Sequence, residues 1–594
     1  MRRADGTSVE GGSGGPCIGL KIRHQALLLV ILAATAPVLR GQVSGQGPQD
    51  TPQPTTLHGT VVNAVTLAPI SRALVYSSDN RFATLTDGEG RFEFTLPKAS
   101  SENTSVTFSE GPPHQMWSVA APGGSVSLMA RRPGFLDDPN DQRQVQATSS
   151  GEITISLMPE GLIKGRVMVS EADPALGINV QLFSRQVQDG MPRWAQASTV
   201  RANSDGEFRF AELLPGTYKV ASTELMDNDP ATSIPGGQLY GFPPVFYPGV
   251  SDFAAAGTIQ LTAGQTVEAG LSLTRQPYFP VRIPVANPDQ NGGMNITVSV
   301  QGHRGPGYSL GYNAEKQRIE GSLPNGNYLV EATTYGQNSA TGAVNIAVAG
   351  SAVDGPSMTL VSSSSISVHV TEEFSAADWN GNSTWNVSGR SFQVHGPRSY
   401  LQVRADSEDD FEQRGSASFR PPTGPNDDSL VIDNLVPGRY RLRFSSSRGY
   451  VAAATMGGVD LLHEALVVAP GSTAPIEVKM RDDTAEIDGT LTGLTAGSST
   501  GAEPTISQAY VYCAPLPASP GEFQQLGVSF PEGKFTSQTM VPGTYRVLAF
   551  KNPQPNLPYR DAEAMKAYEA MGQVVHLSPG QKTDVQVQMI SGSE

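Results

Sequence analysis

The chain is poor in cysteine, tryptophan, histidine and charge, and it has only one sustained apolar run. Of 594 residues, 2 are Cys. Cys17 precedes the N-terminal apolar segment, so Cys513 stands alone after processing and an intramolecular disulfide framework is excluded. Cys513 lies in the apolar strand pattern Ala509–Ala514, the setting of a packed thiol rather than a nucleophile. Charged residues make up 16% of the chain, which does not suit long helices or a coiled coil. The net charge is −15 with no basic stripe, which argues against nucleic acid as a partner, because phosphate binding needs clustered Lys and Arg. The apolar run Ala26–Leu39 is short of the about 20 residues a spanning helix requires. Lys21, Arg23 and His24 precede it and Arg40-Gly41-Gln42 follows, the layout of a secretory signal, expected over residues 1–41. Residues 42–56 are a polar Pro/Gln/Thr linker with the composition of a disordered segment.

Turn residues are plentiful instead, with 63 Gly and 45 Pro. The pattern they punctuate is clearest in Asn203–Val220. Asp205-Gly206 reads as a turn in which the Asp bonds its own backbone and Gly supplies positive φ. Phe208 and Phe210 alternate with Arg209, as in a half-buried strand. Pro215-Gly216 forms a second turn, and Tyr218 and Val220 then alternate with Thr217 and Lys219. One greasy face makes this a hairpin that needs a second sheet to cover it.

The proline of the second turn recurs as Pro215, Pro324, Pro437 and Pro542, and a degenerate copy ends at Leu96-Pro97. A period of about 110 residues is a whole domain rather than a solenoid repeat, so the expected layout is beads on a string. The spacing predicts β-sandwiches over 57–158, 159–276, 277–361, 365–481 and 484–590. The last carries the one good helical stretch, Tyr559–Met571, with Gly572 as its cap and Ala564, Met565, Tyr568 and Met571 on one face. The fold class is therefore all-β: a tandem array of about five immunoglobulin- or transthyretin-like sandwiches behind a signal peptide.

In the first of these, Gly59-x-Val61, Pro69-Ile70-x-x-Ala73-x-Val75, Thr86-Asp87-x-x-Gly90-x-Phe92 and Pro133-Gly134-Phe135 follow one another. That series resembles the carboxypeptidase-regulatory-like domain, a transthyretin-like sandwich related to Cna-B repeats. The second resembles it through Leu162–Val167 and the hairpin above; the other three do so mainly through the Leu/Val-Pro-Gly-x-Tyr turn and the closing strand, the turn of the third carrying an inserted residue as Leu323-Pro324-Asn325-Gly326-Asn327-Tyr328. The resemblance implies a secreted, non-catalytic module. Some Cna-B relatives form Lys–Asn isopeptide bonds, and Lys164 is suitably placed, but Val267–Leu273 has no Asn, so none is expected.

Few residues suggest chemistry. His369 and Glu372 have a His-x-x-Glu spacing, yet they lie on an alternating strand without a third ligand, and His463-Glu464 lacks the second His of a zincin. Gly497–Gly501 matches a nucleophile elbow but sits in a Gly/Ser/Thr loop rather than between strand and helix. The acidic stretches Asp137-Asp138 with Asp141, Asp406–Asp410 and Asp427-Asp428 follow no calcium-loop spacing. No metal and no cofactor are expected. The binding candidates are aromatic: Tyr240, Phe242, Phe246 and Tyr247 in a Pro-rich loop, and Trp379 and Trp385 flanking a polar one. Such rings either stack on a ligand or fold back over the sandwich edge. The function read from the sequence is a non-catalytic secreted or cell-envelope array acting as scaffold, adhesion or protein-interaction module; the alternative is carbohydrate binding in polysaccharide capture. The partners this allows are a polysaccharide or another envelope protein, without nucleic acid and without a transmembrane span in the mature chain.

Overall fold

The computed structural model describes residues 55–590, apart from 78–82, 97–116, 122–123, 138–152, 170–176, 228–236, 287–292, 301–306, 335–338, 376–382, 409–415, 494–508 and the single positions 388, 518, 531 and 555. The signal segment and most of the linker lie outside the described residues.

One strand plan repeats down the chain. In the second sandwich Gly161–Met168 pairs antiparallel with Glu207–Leu213, and it pairs in parallel with the closing strands Thr266–Glu268 and Leu271–Ser272. Thr55–Asn63, Gln276–Ala286, Ser364–Glu373 and Ala485–Thr492 do the same with their own hairpin and closing strands. The facing sheet of the second sandwich is ordered Met191–Arg201, Asn179–Gln188, Gly216–Ser222, Ile259–Leu261. The period-2 pattern explains the core between the sheets. Ile163, Val167, Val180, Leu182, Phe208, Phe210, Val220 and Leu271 all point inward and are buried, while Arg209 between the two Phe is exposed. Each buried Phe or Leu contributes about 1.5–3 kcal/mol. Equivalent clusters of buried residues lie within 57–157, 279–360, 366–480 and 485–587. The array of β-sandwiches read from the sequence is what the chain forms.

The repeated turn has a specific chemistry. Tyr218 Oη donates to the Leu214 carbonyl at 2.7 Å, Tyr328 to Pro324 at 3.0 Å, Tyr440 to Val436 at 2.9 Å and Tyr545 to Val541 at 2.6 Å. In each case the phenol reaches back four residues and ties the turn to the strand that follows, as a tyrosine corner does. In three of the four the turn pair is Pro-Gly; in the third sandwich Asn325-Gly326 takes that place and Pro324 itself supplies the accepting carbonyl, so what recurs with the Tyr is the turn Gly two residues before it.

The first turn differs from expectation in one respect. Asn203, not Asp205, is the side chain that closes it: Asn203 Oδ1 accepts from the backbone N–H of Asp205 (2.9 Å) and Glu207 (2.8 Å). Asp87 does the same for Glu89 and Arg91 in the first sandwich. An acceptor at the first turn position reaches both N–H groups, whereas Asp205, beside the Gly, is exposed. Gly206 has φ +72°, as expected.

Glycine on the first strand is explained by its cross-strand partner. Gly59, Gly165 and Gly489 lie opposite Phe92, Phe208 and Phe535. A Cβ at these glycines would stand 2.4, 2.7 and 2.1 Å from the phenyl Cζ, so each ring is seated over the bare backbone. The helical stretch of the fifth sandwich is shorter than Tyr559–Met571: Ala562–Met565 is α-helical and Lys566–Tyr568 is 3-10. Asp561 caps its start by accepting from Glu563 and Ala564, and Met565 and Tyr568 pack beside Leu548 and Phe550 of their own sandwich. Among the described residues no helix is long and apolar enough to cross a membrane, which says nothing of strands.

Candidate functional site

The Pro-rich aromatic loop of the second sandwich is drawn in two directions. Tyr240 and Phe242 belong to the strand Leu239–Phe242, which pairs antiparallel with Gln276–Ala286, the first strand of the third sandwich. Leu225–Met226 extends the same sheet. The second sandwich thus donates two short strands to the third, and the joint between them is a continuous sheet. The Arg275 guanidinium stands 3.8 Å over the Tyr240 ring and pairs with Asp227 at 2.7 Å. Phe242 and Tyr247 pack on the core of the second sandwich.

Phe246, 3% exposed, turns the other way, onto the outer side of the facing sheet, where it joins Phe183, Trp194, Phe253 and Ala256. The rings meet edge-on, Phe246–Phe253 at 5.7 Å and Trp194–Phe253 at 5.8 Å. The buried Lys219 is set among them. Its ammonium donates to the Phe253 carbonyl at 2.7 Å and lies 4.5 Å from the Phe253 ring and 5.0 Å from that of Trp194. A buried ammonium is costly unless it is hydrogen-bonded and faces π-clouds, and both conditions are met here. In the sequence Lys219 alternates out of the core strand and looks like an ordinary solvated charge. Nothing local says that a loop some thirty residues later covers it.

Trp385 lies on the hairpin Ser383–Val387 and Arg390–Val394; Trp379 lies outside the described residues. Trp385 is half-buried, and the Arg398 guanidinium sits 4.9 Å over its ring. Arg398 is 2% exposed and donates to the carbonyls of Ser429 and Arg420. Close by, the hydroxyls of Ser429 and Thr423 and the Thr423 N–H hold the Asp427 carboxyl far below the usual carboxylate range. The Asp427-Asp428 stretch is therefore occupied in ordering its own loop, with Asp428 accepting from the His395 N–H at 2.7 Å.

The residues considered for chemistry are dispersed. His369 Nδ1 faces Glu477 at 3.0 Å across neighbouring strands, and both are exposed. His463 faces Asp460 at 2.7 Å. Among the described residues no three of His, Cys, Asp or Glu are grouped to hold a metal ion. Cys513 is fully buried, and burial pushes its thiol up to about 12. Lys164 pairs with Glu268 at 3.2 Å on the surface. Gly497–Gly501, Asp138, Asp141, Asp409 and Asp410 lie outside the described residues. A groove of about 780 Å³ runs over the fifth sandwich, lined by polar side chains that include Asp488, Thr490, Lys534, Thr536, Asp584 and Gln586. There Asp488 is paired with Lys582 at 2.8 Å and accepts from the Thr536 hydroxyl at 2.5 Å; these bonds hold its carboxyl below the usual range.

No known protein family and no curated protein matches the sequence. Among solved structures, the chain is similar to the Bacillus anthracis TIE protein at 10% identity and a TM-score of 0.14, covering 71% of this chain and 73% of that one. It is similar to a Streptococcal ancillary pilin at 12% identity and a TM-score of 0.17, over 52% of this chain and 99% of that one. The minor pilin of the Gram-positive pathogen Streptococcus agalactiae aligns at 13% identity and a TM-score of 0.17, over 37% of this chain and 96% of that one. At identities and scores this low, none of the three says what this chain does.

Proposed function

We propose that the chain is a non-catalytic, secreted or cell-envelope array of carboxypeptidase-regulatory-like sandwiches that serves as a scaffold, adhesion or protein-interaction module. One observation carries the reading. The hairpin closed by Tyr218, Tyr328, Tyr440 and Tyr545 repeats with the same bond, whereas the surface pairs that bridge the first and closing strands, Lys164–Glu268, His369–Glu477 and Asp488–Lys582, change in residue type from sandwich to sandwich. What recurs is what stiffens a sandwich edge. The shared sheet between the second and third sandwiches adds a joint that transmits load through backbone hydrogen bonds.

Single-molecule pulling of the full chain tests this. A scaffold of such units unfolds in successive events, each releasing about 35 nm for roughly 100 residues at the extended spacing. One all-or-none event, or steady turnover of a peptide or glycosidic substrate by the pure protein, overturns the reading.

A further inference from the structure

The longest hairpin of the second sandwich does more than complete its sheet. Asn179–Gln188 and Met191–Arg201 are joined by the two-residue turn Asp189-Gly190, with φ +48° and +73°. Two positive φ values match the twist of a hairpin, and Asp-Gly is a pair that adopts them. The tip of this turn meets residues more than 250 positions further along. The Asp189 carboxylate accepts from the Tyr559 hydroxyl at 2.5 Å, and it pairs with Arg443 at 3.3 Å and Arg560 at 3.2 Å. The Gly190 carbonyl accepts from the Arg560 N–H at 3.1 Å. A Cβ on Gly190 would stand 2.7 Å from the Tyr559 ring, so only glycine lets the turn seat there. On the strand side of the tip, Arg193 donates to the Ser407 carbonyl at 2.5 Å.

The receiving surface is itself ordered. Tyr559 stacks on Phe523 with centroids 4.3 Å apart and planes at 8°. Arg443 is held from its other side by Asp406 at 2.5 Å. Asp189 keeps only 19% of its side-chain surface, so its charge is compensated by two guanidinium groups and a phenol in a largely dry contact.

From this geometry we infer that Asp189-Gly190 is a latch that closes the array on itself by fastening the second sandwich to the fourth and fifth. The occupant of the site formed by Arg443, Tyr559 and Arg560 is the acidic turn of the same chain. With the latch shut, the second and fifth sandwiches are held together; with it open, they separate as far as the intervening sandwiches allow, and the Phe523–Tyr559 stack and two guanidinium groups are uncovered. The inference goes beyond the scaffold reading, which survives if the array proves to be open.

Small-angle scattering of the full chain tests it. Asp189→Arg sets three cations against one another, and Arg560→Asp breaks the same contact from the fifth sandwich. Each is expected to lengthen the largest dimension relative to the unmodified chain by about one sandwich diameter, roughly 30 Å for a unit of about 100 residues. Asp205→Asn, at the other turn of the second sandwich, is expected to leave it unchanged. Circular dichroism checks that the sheets persist; should Asp189→Arg lose them, Arg560→Asp decides. If the variants keep their sheets and scatter like the unmodified chain, there is no latch, and lengthening by Asp205→Asn as well overturns it equally.

Discussion

Tyr545 Oη donates to the Val541 carbonyl at 2.6 Å while its own oxygen lies 3.2 Å from the Glu522 N–H. Tyr545 is fully buried and its bond to Val541 is dry, while the bond from the Glu522 N–H is partly buried. Removing the hydroxyl leaves a buried carbonyl and an N–H unsatisfied. Tyr545→Phe is expected to destabilise the fifth sandwich by about 1–3 kcal/mol. The same change at Tyr218, whose phenol oxygen is more accessible, is expected to cost less, about 0.5–1.5 kcal/mol. Denaturant transitions followed by hydrogen exchange in each sandwich check the order.

Gly489 opposite Phe535 makes a second prediction. Gly489→Ala puts a methyl 2.1 Å from the ring carbon, which must move out of a packed core. The expected cost is about 1–3 kcal/mol, typical of overpacking. In the double variant with Phe535→Leu the penalty of the alanine shrinks, so the two changes are less than additive. Strict additivity would show that the ring is not seated on the glycine.

Glu224 predicts a pH dependence at the joint between the second and third sandwiches. Its Oε1 and the Tyr278 Oη are buried without a hydrogen bond of adequate geometry, and Tyr308 and Tyr328 stand near them. Burial pushes the carboxyl from 4.5 up to about 7. The folded chain therefore binds this proton more tightly than the unfolded one. The contribution to stability is complete below about pH 4.5 and is lost as the pH rises through about 7. Amide protection in Leu239–Phe242, corrected for intrinsic exchange, is expected to fall between pH 5 and pH 8, and to fall less in Glu224→Gln. Equal losses in the two proteins would remove Glu224 from the effect.

Cys513 is expected to be silent toward thiol reagents. With its pKa raised to about 12 by burial, thiolate is scarce at pH 8 and the sulfur is covered. Labelling by iodoacetamide should then track unfolding of the fifth sandwich. Rapid labelling of the native chain would contradict the packing described for Ala509–Ala514.

The aromatic candidates show how far local reading reaches. Tyr240, Phe242, Phe246 and Tyr247 stood out because a cluster of rings in a polar, Pro-rich loop is unusual. Their loop distributes them over a sheet joint, the core of the second sandwich and an outer aromatic cluster, and this depends on Gln276–Ala286 and on Phe183 and Trp194. Lys219 could not be singled out, because strand alternation alone places it in solvent. Asp189-Gly190 did carry a local signal, an Asp-Gly pair between two alternating segments. That signal names a hairpin turn and says nothing of what the turn touches.

The sequence by itself determined the all-β class, the repeat of about 110 residues and the recurring Gly-x-Tyr turn with its preceding Pro. Turn preference and side-chain alternation act between residues a few positions apart, and the tyrosine corner spans only four. Only the tertiary structure decided that Phe rings cover the strand glycines, that two short strands of the second sandwich complete the sheet of the third, and that Asp189 meets Arg443, Tyr559 and Arg560. Those contacts join residues from tens to hundreds of positions apart. Their energy lies in how strands pair within a sandwich and in how finished sandwiches pack against one another, and no short stretch of the chain encodes that.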